Sequence, residues 1–120
     1  MNKRAAGNAG ETTAAVFLEK NGCKILERNF RRPTGEIDLI VRDRKCIVFV
    51  EVKQRSSLRY GRPAEAVNRA KQIHILRTAA LYLAENGTDD TLVRFDVVEV
   101  LPDNVQWIRS AFDATDMADF

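Results

Sequence analysis

Gly35-Glu36-Ile37-Asp38-Leu39-Ile40-Val41-Arg42 and Cys46-Ile47-Val48-Phe49-Val50-Glu51-Val52-Lys53 are two alternating runs separated only by Asp43-Arg44-Lys45. Alternation marks a strand, because successive side chains point to opposite faces. So short a linker joins only antiparallel neighbours, so the two runs form a hairpin. Ile37, Leu39 and Val41 then share one face, as do Val48, Val50 and Val52. Glu36, Asp38 and Ile40 fall on the other, with Phe49, Glu51 and Lys53. A turn about Arg44-Lys45 sets Asp38 across from Glu51 and Glu36 across from Lys53, with facing Cβ atoms ~4.5–5.5 Å apart.

Two carboxylates at that separation raise each other's pKa unless a cation compensates. Hard oxygen ligands with open positions suit Mg²⁺ or Mn²⁺. Such an ion polarises a phosphodiester and acidifies an attacking water. Lys53, on the same face as Glu51, is placed to orient or deprotonate that water, or to stabilise charge at phosphorus. The competing reading is an ordinary solvent-facing strand with alternating charge, since Glu-x-Lys alone is common. Ile40 and Phe49 on the carboxylates' face favour a partly enclosed site.

Outward from the hairpin, residues 11–20 read as a helix with Ala14, Phe17 and Leu18 in a stripe, ended by Asn21-Gly22. Lys24 to Phe30 is a weaker strand candidate, and Pro33-Thr34-Gly35 a turn. A long helix is expected from about Pro63 to Glu85, closed by Asn86-Gly87. Ala66, Ala70, Ile73, Arg77, Ala80 and Ala84 form its predicted buried stripe, widened by Val67, Leu76, Leu81 and Leu83. Strands over Leu92–Leu101 and Val105–Ile108 complete the order α-β-β-β-α-β-β. This is an α/β arrangement, a mixed sheet flanked by helices. No repeat or linker divides the 120 residues, so one domain over 1–120 is expected, with 113–120 a frayed tail.

The net charge of +2 conceals an asymmetry: residues 1–84 carry 17 Lys+Arg against 8 Asp+Glu, residues 85–120 only 2 against 9. A basic body suits a polyanion, because its cations release counterions from phosphates. The basic N-terminus has no apolar run behind it and no stretch is long enough to cross a membrane, so a cytoplasmic protein without membrane partners is expected. Cys23 and Cys46 lack metal spacing and His74 is the single histidine, which argues against zinc. Both thiols are expected to be packed and free, and His74 to be a packed or helix-surface residue. Trp107 reads as core or interface.

The hairpin motifs, together with Gly10-Glu11, Arg28-Asn29, Tyr60-Gly61-Arg62-Pro63, Lys71 and Arg94-Phe95-Asp96-Val97-Val98, resemble the YraN family of small bacterial proteins over residues 8–112. That family is similar to the PD-(D/E)XK nuclease superfamily and, within it, to archaeal Holliday-junction resolvases. The resemblance implies a restriction-endonuclease-like core and a Mg²⁺- or Mn²⁺-dependent endonuclease acting on DNA, branched or structured DNA included. Asp38, Glu51 and Lys53 match its catalytic set, and Glu11 matches a helix-borne acid that joins Asp38 and Glu51 as metal ligand. Ile37 stands where the superfamily carries the proline of Pro-Asp. By analogy with such resolvases, the arrangement suggested for two-fold-related branched DNA is a homodimer.

Lys53 to Arg62 holds four cations, two serines and a tyrosine. Arg55, Arg59, Tyr60 and Arg62 are therefore candidate DNA contacts, through phosphates and base stacking; a solvated loop is the other reading. Lys71 joins them from the long helix. Arg28, Arg31 and Arg32 either extend this surface or are ordinary surface charge. Glu36 is read either as a further ligand or as a partner for Lys53. Two further hypotheses stand beside the nuclease: a nucleic-acid-binding module that retains the fold without cleaving, and a protein-interaction domain using the acidic C-terminal part.

Overall fold

The computed structural model describes residues 3–55, 67–87 and 92–113. The elements are α1 (Lys3–Lys20), β1 (Lys24–Arg32), β2 (Gly35–Asp43), β3 (Cys46–Gln54), α2 (Arg69–Asn86), β4 (Leu92–Leu101) and β5 (Asn104–Phe112). They make the expected α/β fold, a five-stranded sheet in the order β1-β2-β3-β4-β5. All neighbours are antiparallel except β3 and β4, which run parallel. Parallel neighbours need a crossover, and α2 lies between them in the chain. No helix among the described residues is long and apolar enough to cross a membrane.

The hairpin takes the expected register: Ile40 faces Phe49, Val41 faces Val48, and Asp43 faces Cys46 across Arg44-Lys45. Arg44 adopts a left-handed φ of 59° to make the turn. One core lies under α2 and joins Ile40, Ile47, Phe49, Phe95 and Val97 to Ile75, Leu76, Ala79 and Tyr82. The other lies under α1 and joins Leu39, Val41, Val48, Val50 and Val98 to Ala14, Ala15 and Leu18. With both faces covered, the central strands read as nearly continuous apolar runs.

Three expectations are corrected. Ile37 packs in the α2-side core, not with Leu39 and Val41. The backbone is irregular there. Arg28 faces Leu39 and Phe30 faces Ile37, while Asn29, between them, takes φ 53°. Second, α2 begins at Arg69, not near Pro63, because the Asn68 side chain accepts a hydrogen bond from the Lys71 backbone N–H and caps the helix. Residues 63–66 lie outside the described residues.

Third, the buried face of α2 is Ile75, Leu76, Thr78, Ala79 and Tyr82, while Ala70, Arg77, Ala80 and Ala84 are exposed. Hydrophobic gain scales with apolar area, so Ile, Leu and Tyr outweigh an alanine stripe. The helix ends at Asn86 with Gly87 in the left-handed conformation, as its sequence suggests. Elsewhere α1 and β5 are longer than expected. Trp107 is half-buried, its ring edge-on to Phe17 at 6.2 Å. Both cysteines are free, Cys23 buried and Cys46 partly so.

Candidate functional site

Strands β2 and β3 pair regularly up to Leu39 and Val50, and beyond that point the ladder changes. The Val52 backbone N–H donates to Asp38 Oδ2 at 2.8 Å rather than to a strand carbonyl. A side chain thus replaces main chain in the pairing and holds the Asp38 carboxyl in place. Glu51 is 5% exposed and close enough to Asp38 to disfavour its ionisation. The two lie on an open cavity of about 390 Å³, walled by Pro33-Thr34-Gly35 on one side and Lys71, His74 and Ile75 of α2 on the other. Gly35 makes this wall feasible: its φ is +146°, and a Cβ there would lie 3.2 Å from the His74 Cβ.

Electrostatics mark the cluster. Burial first, then the charge of Glu51, push the Asp38 carboxyl up to about 8, against the Val52 hydrogen bond; Glu11 adds to the rise. Lys53 Nζ lies 3.5 Å from Glu51 Oε1, and Lys71 Nζ contacts the same oxygen. Burial and the neighbouring Lys71 hold the Lys53 ammonium below the usual lysine range, despite the attraction of Glu51. Burial also opposes the charge on Lys71, but its hydrogen bond and attraction to Glu51 prevail and raise it. Perturbed groups around one cavity are what a functional site produces.

Glu11 enters from α1. Gly10 beside it lies so close to β3 that a Cβ would stand 2.7 Å from Gln54 Oε1, so the helix approaches the strand end closely. One Glu11 oxygen, Oε2, is buried with no hydrogen-bond partner among the described residues. Among those residues, no three His, Cys, Asp or Glu side chains gather into a metal cage. The donor set instead fits Mg²⁺, which is ordinarily bound by one or two carboxylates plus waters and substrate phosphate. Asp38 and Glu51 would supply those carboxylates, and the Glu11 charge is near enough to act on Asp38.

The structure therefore brings Asp38, Glu51, Lys53 and Lys71 together, with Glu11 within electrostatic reach. Arg55 belongs elsewhere: its Nε lies 3.2 Å from the fully buried Glu99, and its backbone N–H donates to Val100 O at 2.9 Å. Arg59, Tyr60 and Arg62 lie outside the described residues. Glu36 pairs with Arg31 at 3.2 Å, not with Lys53. Arg32 pairs with Glu85, and Arg28 donates to Thr12 Oγ1. His74 is on the helix surface as expected, and it also lines the cavity.

Sequence reasoning missed Glu99 and the anchoring role of Asp96. Asp96 is fully buried and accepts from Arg94, from Trp107 Nε1 at 2.8 Å and from the Ser110 backbone N–H at 2.9 Å. The available signal was two acidic residues, Asp96 and Glu99, set among the apolar residues of Phe95-Asp96-Val97-Val98-Glu99-Val100.

Comparison with known proteins follows the same residues. The model of "Uncharacterised protein family UPF0102" matches residues 10–100, from Gly10-Glu11 to Val100 in β4. The chain belongs to the UPF0102 family. Within this family it is 59% identical over 100 residues to a UPF0102 protein of Acetivibrio thermocellus, covering 82% of this chain and 77% of that one. It is 44% identical over 115 residues to the UPF0102 protein YraN of Salmonella typhi, covering 94% and 88%. The resemblance to the YraN family read from the motifs is borne out.

Proposed function

We propose that this UPF0102 chain is a Mg²⁺- or Mn²⁺-dependent endonuclease that hydrolyses phosphodiester bonds in DNA, structured or branched DNA included, on a PD-(D/E)XK-like core. One observation carries the reading: Asp38 and Glu51 adjoin where the β2–β3 ladder ends, with two lysines on Glu51, beside an open cavity. A purely structural cluster has no need of a buried Glu51 beside a half-buried Asp38, because each carboxylate disfavours the other's ionisation. When bound between them, a divalent ion supplies charge for the phosphodiester oxygens and a more acidic water.

The chain's own groups divide the remaining work. Asp38 is held by the Val52 N–H, so its free oxygen keeps one direction. Lys53, with its ammonium destabilised by burial, gives up a proton more readily than a free lysine and suits proton exchange with the water. Lys71, more exposed and on the cavity wall, suits a DNA phosphate. A homodimer on two-fold-related DNA belongs to the same proposal.

A second reading, a nucleic-acid-binding module that does not cleave, is favoured by the two lysines that already neutralise Glu51. Metal separates the two. Mn²⁺ and Mg²⁺ are titrated calorimetrically into wild type and Asp38→Asn/Glu51→Gln, alongside incubations with linear, flapped and four-way DNA. Uptake lost in the double variant, with metal-dependent nicking, is the expected result. If wild type takes up no metal even with DNA, the catalytic reading fails and the binding module stands.

A further inference from the structure

Two ammonium groups share Glu51 Oε1, and they are not equivalent. Lys53 stands on β3 beside Glu51, with a side chain 24% exposed. Lys71 reaches across from the first turn of α2, and its side chain is 41% exposed. It lies on the cavity wall with His74, one turn further along the same helix face. Asp38, by contrast, makes no ion pair with a described residue, so the positive charge of the site is concentrated on one carboxylate oxygen. A cation held by both carboxylates would meet the Lys71 charge at Glu51.

We propose that Lys71 is an exchangeable counter-cation. It neutralises Glu51 while the site holds no divalent ion, and it moves to a DNA phosphate at the cavity mouth when ion and DNA arrive together. The inference rests on the nuclease reading above and adds regulation of the same site. Lys71 opposes metal uptake in free protein, because like charges compete for one buried carboxylate. A DNA phosphate offers the ammonium another anion and vacates Glu51. Metal and DNA then strengthen each other's binding reciprocally. Lys53 is less suited to this exchange, being shorter of solvent and rooted in the sheet.

The test is Mn²⁺ binding, measured by calorimetry on wild type, Lys71→Met and Lys71→Arg, with and without a phosphorothioate-substituted four-way DNA that resists cleavage. Without DNA, K71M should bind Mn²⁺ roughly tenfold more tightly than wild type, a coupling of ordinary size. K71R, which keeps the charge, should bind as wild type does. DNA should raise the Mn²⁺ affinity of wild type and leave that of K71M nearly unchanged. K71M binding no more tightly than wild type overturns the proposal while leaving the metal site standing. No Mn²⁺ uptake by any protein, with or without DNA, means the nuclease reading itself has failed. Should K71M not fold, wild type alone decides: a Mn²⁺ affinity indifferent to DNA overturns the exchange.

Discussion

Replacing Asp38 with Asn should change how the stability of the metal-free protein depends on pH. Burial and Glu51 raise the Asp38 carboxyl from 3.8 to about 8, so between these values it is protonated when folded and ionised when unfolded. The folded state then binds the extra proton, and stability falls as pH rises through this window. The slope is about 1.4 kcal/mol per pH unit for one such group, so from pH 5 to 7 wild type should lose about 2.5 kcal/mol through Asp38. Asparagine keeps an oxygen to accept the Val52 N–H and removes the titration. Urea unfolding at both pH values, in chelator, measures the effect for each protein. Groups remote from Asp38 contribute alike to both proteins and cancel in the difference. Parallel pH dependence in wild type and Asp38→Asn would refute the reasoning, since it would mean that Asp38 is already ionised in the fold.

Three further outcomes rest on the same geometry. Asp96→Ala leaves half-buried Arg94, the Trp107 N–H and the Ser110 N–H without their shared, fully buried acceptor; the loss should be about 3 kcal/mol, as for one half of a largely buried ion pair, read from the denaturant midpoint. On α2, Leu76→Ala should cost about 2–5 kcal/mol, as core truncations do. Ala84→Lys, on the exposed face, should stay within about 0.5 kcal/mol in the same assay.

Much of the site was legible because it lies within one hairpin. Val48 can face Val41 only if the short turn is Arg44-Lys45, and that local register carries Asp38 toward Glu51. Alternation was less reliable where a side chain intrudes on the ladder: Ile37 changed face where Asp38 takes the Val52 N–H. In α2 the spacing of alanines was a true helical period, but a helix wheel does not say which stripe meets the sheet. The larger side chains Ile75, Leu76 and Tyr82 decided that.

By itself, then, the sequence determined the order of elements, the hairpin register and the two carboxylates it brings together, because these depend on side-chain period and a short turn. Its family motifs pointed to Glu11 and Lys71 as well, yet no periodicity could say where those side chains meet the strand. Only the tertiary structure decided that. Gly10 lets α1 close on the end of β3, and the crossover through α2 carries Lys71 over Glu51. The burial of Asp96 and Glu99 likewise depends on β4 lying between β3 and β5. Contacts of this kind join residues tens of positions apart, and their geometry is set by how helices and sheet pack rather than by local spacing.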